Sequence, residues 1–95
     1  MPAYMIVQAT VTKPEQFAEY AQRMPALVAK YGGKYLALGG AVEKLEGDWD
    51  HQALVISEWP SMDAARTLWH SDDYAELKKV REGAVDVSVL LVEGA

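Results

Sequence analysis

The chain has 95 residues, 51% hydrophobic and 24% charged, with no cysteine and a formal net charge of −5. That length fits one domain, 1–95, whose modest core makes oligomerisation a natural aid. An acidic balance without any block of Lys or Arg sets aside nucleic acid and membrane surfaces as partners, and the lack of cysteine removes disulfides, thiolate metal sites and thiol nucleophiles.

Residues 4–11 are rich in β-formers and predict a strand, with Tyr4, Ile6, Gln8 and Thr10 on one face and Met5, Val7, Ala9 and Val11 on the other. The opening Met1-Pro2-Ala3-Tyr4 runs straight into that strand with no basic-then-apolar leader, so a cytoplasmic, soluble protein is expected. Thr12-Lys13-Pro14-Glu15 reads as a capping box with proline in the first helical turn. The following helix carries Phe17, Tyr20, Ala21, Met24, Leu27, Val28 and Tyr31 at helical spacing and stops at Gly32-Gly33. Pro25 inside it predicts a kink near Gln22 to Met24.

Residues 34–38 predict a short strand, Gly39-Gly40 a bulge or bend, and residues 41–45 a resumption of the strand before a turn at 46–50. The return strand is expected over 52–59, and Pro60-Ser61 stops it. A helix then begins at Ser61 or Met62 with Ala64, Ala65, Leu68 and Trp69 on one face, and His70-Ser71-Asp72 interrupts it. Acidic residues at 72, 73 and 76 and basic ones at 78, 79 and 81 suit the dipole of a third helical piece, capped by Gly83. A nearly apolar strand over 85–92 completes the order β-α-β-β-α-β.

That order is the ferredoxin-like α+β plan, a four-stranded antiparallel sheet with helices on one face. Ile6, Leu54, Ile56 and the last strand supply more apolar surface than one helical layer covers, which predicts a symmetric homodimer joined through the sheet faces around a closed, barrel-like core. The motifs Pro2-Ala3-Tyr4, Val11-Thr12-Lys13-Pro14, Met24-Pro25, Tyr31-Gly32-Gly33, Gly39-Gly40, Leu45-Glu46-Gly47-Asp48-Trp49, Glu58-Trp59-Pro60-Ser61-Met62 and Trp69-His70-Ser71 occur together along the chain. In combination they resemble one bacterial family, the domain of unknown function 1330.

The resemblance spans essentially the whole chain and implies the dimeric α+β barrel superfamily. That superfamily includes cofactor-free monooxygenases, small isomerases and cyclases, and haem proteins, so it implies no single reaction. Leu38 stands where many relatives have arginine, which removes a fixed charge near the double glycine. His70 stands where asparagine is common and adds an imidazole, a side chain able to serve as acid or base.

The candidate catalytic residues are His70 and Glu58, the second a carboxylate beside Trp59 at the end of an apolar strand. Each has a structural counterpart: an exposed or capping histidine, and a glutamate paired with Arg23, Arg66 or Arg81. Tyr20, Tyr35 and Trp69, with Tyr74, are candidates to line a pocket for a flat apolar ligand, or else they are core. His51, between aspartates in a turn, reads as solvated. No metal set, cofactor fingerprint, phosphate loop or Ser-His-Asp pattern is expected. The two resulting functions are a binder of a small apolar or aromatic metabolite acting as a cofactor-independent enzyme, and a non-catalytic dimeric structural or regulatory module.

Overall fold

The computed structural model describes residues 1–49 and 53–95. Strand β1 (Ala3–Val11) lies inside the sheet, antiparallel to β3 (Ala53–Trp59) on one side and to β4 (Val85–Glu93) on the other. Strand β2 (Lys34–Leu38) pairs antiparallel with the outer edge of β3, giving the order β2-β3-β1-β4. This is the ferredoxin-like plan expected from the sequence. Registers of Met5 with Ser57 and Leu91, and of Val7 with Val55 and Val89, put these residues on the helix-covered face. Tyr4, Ile6, Gln8, Leu54, Ile56, Glu58, Leu90 and Val92 take the other.

Helix α1 (Pro14–Lys30) begins on Pro14, whose missing N–H costs nothing there. The expected capping box does not form: Lys13 is the N-cap and no side chain caps it. The backbone N–H groups of Thr12 and Lys13 both donate to Ala84 O, at 2.8 and 3.0 Å, so the entry to α1 is tied to the start of β4 instead. The helix continues through Pro25, which faces solvent. It ends in a Schellman motif, with Gly33 N–H on Val28 O at 2.9 Å, Gly32 N–H on Ala29 O at 3.1 Å and Gly32 at φ +89°.

The register shift in β2 lies between Tyr35 and Ala37, not at the double glycine. Gly39, at φ +67°, bends the chain while its N–H bonds Leu54 O at 3.1 Å. Residues 41–45 are not a strand, contrary to expectation: no pairing with the backbone of another described residue marks them as one, and Leu45 is 88% exposed. Trp49 is also exposed. Asp50, His51 and Gln52, including the expected solvated histidine and the first residue of the return strand, lie outside the described residues.

Helices α2 (Met62–Trp69) and α3 (Asp72–Val80) share the second crossover, each opened by a serine. Ser61 Oγ accepts from Ala64 N at 3.1 Å, and Ser71 Oγ from Tyr74 N at 3.0 Å. Ser71 also donates to Leu68 O at 2.7 Å, which locks the end of one helix to the start of the next.

The core gathers at one end of the sheet, where Ala3, Met5, Val28, Trp59, Ala65, Leu68 and Tyr74 are buried together. The opposite sheet face carries exposed Leu90 and Val92. Among the described residues no helix is long and apolar enough to cross a membrane, and no group of three His, Cys, Asp or Glu gathers to hold a metal.

Candidate functional site

Short α2 covers the Ala3 and Trp59 end of the sheet, and beyond it the strands carry mostly small or branched residues: Val7, Ala9, Val55, Val87 and Val89. These do not fill the space under α1 and α3. A cavity of about 310 Å³ is left there, bounded by Met24 and Tyr20 of α1, Tyr35 of β2, Trp69 of α2, Tyr74 of α3 and Arg81 just beyond it. Its wall is almost wholly apolar, which suits an apolar ligand body.

The polar part is a chain of three side chains. The Tyr20 and Tyr74 hydroxyls share a hydrogen bond of 3.1 Å, and Arg81 Nη2 donates to the Tyr74 oxygen at 3.5 Å. The Arg81 guanidinium also lies 5.4 Å from the Tyr20 ring centroid. Burial, together with Tyr74, pushes the Tyr20 phenol well above the usual tyrosine range, so its hydroxyl stays protonated near neutral pH. Burial raises Tyr35 as well. Burial works against the Arg81 charge, but the Tyr74 and Tyr20 phenols together outweigh it and raise the guanidinium further, so it stays a cation.

Local structure puts these groups together. Tyr74, Leu77 and Arg81, three and then four residues apart, lie on the inner side of α3 and its C-cap, and all three are buried. The end of that helix is fastened by Gln16, whose amide donates to Val80 O at 3.1 Å and Glu82 O at 2.7 Å. Trp69 closes the other side, its ring 5.1 Å from Tyr74 and tilted by 37°, with Lys78 Nζ 4.8 Å from the ring centroid.

Of the residues singled out in the sequence, Tyr20, Tyr35 and Trp69 meet at this cavity, and Tyr74 with them. Glu58 and His70 do not line it. Glu58 sits on the opposite sheet face, because its neighbour Trp59 points into the core and successive strand residues alternate. Its ion-pair partner is Lys34 at 3.5 Å, across the β2–β3 pairing, and not one of the three arginines considered. His70 is the exposed C-cap of α2. Arg81 ends α3 as its basic C-cap, in keeping with the helix-dipole reading, but sequence reasoning missed its place in the cavity wall; its spacing from Tyr74 and Leu77 was the available signal.

Comparisons with known proteins agree with the fold. A Rhodopseudomonas palustris protein of unknown function, RPA0582, superposes with a TM-score of 0.80 at 22% identity, covering 99% of this chain and 82% of that one. SnoaB, a cofactor-independent oxygenase from Streptomyces nogalater, superposes with a TM-score of 0.64 at 15% identity, covering 99% and 93%. A de novo designed protein, Foldit4, superposes at 0.63 with 11% identity over the full length of both chains, so this likeness alone carries no activity. No curated protein matches the chain. Residues 2–95 match the family described as a domain of unknown function, DUF1330, and the chain belongs to that family.

Proposed function

We propose that the protein binds a small apolar or aromatic metabolite in the cavity between sheet and helices, working as a homodimer joined through its open sheet faces. The observation that carries this reading is the cavity itself. A domain of 95 residues has little core to spare, yet about 310 Å³ beside Tyr20, Tyr35 and Trp69 is not filled by side chains. The dimer is supported by the exposure of Leu90 and Val92 beside half-buried Ile6, Leu54 and Ile56 on a face no helix covers.

Calorimetric titration with 2-naphthamide, a flat neutral aromatic probe, tests the binding reading. The wild type is expected to bind it, and Val7→Phe, which grows a ring into the cavity, is expected to abolish binding while the protein stays folded. Failure of the wild type to bind both 2-naphthamide and its carboxylate counterpart 2-naphthoate, or undiminished binding by Val7→Phe, refutes the proposal. Light scattering reads the assembly in the same samples: twice the chain mass is expected, with Leu90→Glu reducing it to one.

The likeness to a cofactor-independent oxygenase supports a cofactor-independent enzyme as the class of activity. One observation favours non-catalytic binding instead: among the described residues none of the cavity-lining side chains is His, Asp or Glu, so none of them sets an ordinary acid or base beside the ligand space.

A further inference from the structure

Among the described residues Arg81 is the single ionised side chain lining the cavity, and it is 8% exposed. Its Nε is buried without a hydrogen-bond partner, and none of the ion pairs among the described residues includes it. A buried cation without a counter-charge is costly, and arginine cannot shed its proton to escape that cost. The cluster has hydrogen-bond donors to spare. Tyr20 and Tyr74 own two hydroxyl hydrogens and their mutual bond uses one, so one O–H remains uncommitted by the trio, beside the free Nε–H. Among the described residues no carboxylate belongs to the cavity wall.

We infer that the cavity takes an amphiphilic anion, an apolar or aromatic body bearing one anionic oxygen of carboxylate, enolate or phenolate type, with that oxygen held by Arg81 and the Tyr20–Tyr74 hydroxyl pair. The ligand supplies the counter-charge the protein lacks, and the valine-lined end of the sheet holds the body. Charge-assisted hydrogen bonds in such surroundings are the strong kind. Gln16, by fastening the backbone on either side of Arg81, acts as a positioning residue.

This inference rests on the cavity-binding reading, and the test separates the two. Dissociation constants of 2-naphthoate and 2-naphthamide, which share a ring system and differ in charge, are measured by calorimetry at neutral pH. The wild type is expected to prefer the carboxylate by about tenfold or more, the weight of hydrogen bonds to a charged group. Arg81→Met is expected to remove the preference and keep the amide binding. Tyr74→Phe, which deletes one hydroxyl and keeps the ring, is expected to narrow the preference several-fold, and it serves as the test should Arg81→Met fail to fold. Equal affinities in the wild type, or a full preference surviving in either variant, overturn the anion inference and leave the cavity reading standing. Failure of both probes to bind overturns both.

Discussion

Gly33 is the position where one added methyl group tests the packing of the whole core. A Cβ built there would lie 2.8 Å from Trp59 Cη2 and 2.9 Å from both Cζ2 and Cζ3, about half an ångström or more inside ordinary carbon–carbon contact. Neither side can yield easily. Trp59 is 1% exposed and its indole N–H is bonded to Ser57 Oγ at 2.9 Å, while Gly33 is held by its own N–H on Val28 O. Gly33 is not at positive φ, so the penalty is steric and not a matter of backbone strain.

Overpacking of this kind costs about 1–3 kcal/mol. Each kcal/mol lowers the melting temperature of a domain this size by roughly 4–8 °C. Urea denaturation of Gly33→Ala followed by circular dichroism should show that loss with an unchanged slope. Gly40→Ala, with no atom within 4 Å and no positive φ, should stay within about 0.5 kcal/mol of wild type. Trp59→Phe frees room for the methyl group, so the double mutant should lose less than the sum of the single losses, by about 0.5 kcal/mol or more. A Gly33→Ala midpoint equal to that of wild type, or simple additivity in the cycle, would refute the argument.

Two further outcomes concern the helices. Ser71→Ala should destabilise the protein by about 1 kcal/mol in urea titration, because the Tyr74 N–H loses its cap, whereas Ser71→Asn should retain most of the stability; equal losses in the two would show that the cap is not the cause. The Asp73 carboxylate is held below its usual range by the Lys30 ammonium at 2.7 Å and the Tyr31 hydroxyl at 3.1 Å. Its folded pKa is depressed, so its contribution is present above the unfolded value of about 3.9 and is lost as pH falls through the lower folded value. The ammonium, raised by the same partner, loses its share only as pH rises through its folded pKa. The Asp73→Asn destabilisation measured at pH 7 should therefore vanish in strong acid and shrink with salt; a difference that persists at both would contradict the pairing.

Much of the fold was legible because local chemistry and global topology agree. Pro14 opens α1 and Gly32-Gly33 closes it, Ser61 and Ser71 start the two later helices, and strand alternation separates the two sheet faces. The failures have physical causes. Thr12 has good capping chemistry, but its backbone is committed to Ala84 O, a partner 72 positions along the chain that no local pattern reveals. Residues 41–45 have strand composition but, among the described residues, no strand beside them.

The site was legible in part. Tyr20, Tyr35 and Trp69 were identifiable as aromatic and inward-facing, but aromatic spacing is the same for a filled core and for a cavity wall; only the volumes of the valines opposite decide. Glu58 was the more readable case, since a strand that buries Trp59 must turn its neighbour away. Arg81 looked like an ordinary helix-end charge because burial of a charged residue depends on what covers it, here α1 and the aromatic cluster, and not on the residue itself.

The three tryptophans differ in surroundings: Trp59 is 1% exposed in the core and reaches the cavity, Trp69 stands at the cavity wall beside Tyr74, and Trp49 lies in the exposed segment after the double glycine. Intrinsic fluorescence is thereby divided by location. Single-tryptophan variants would report global unfolding, ligand arrival and the state of the 41–49 segment as separate emission signals, with no dye attached and no cysteine engineered into a chain that has none.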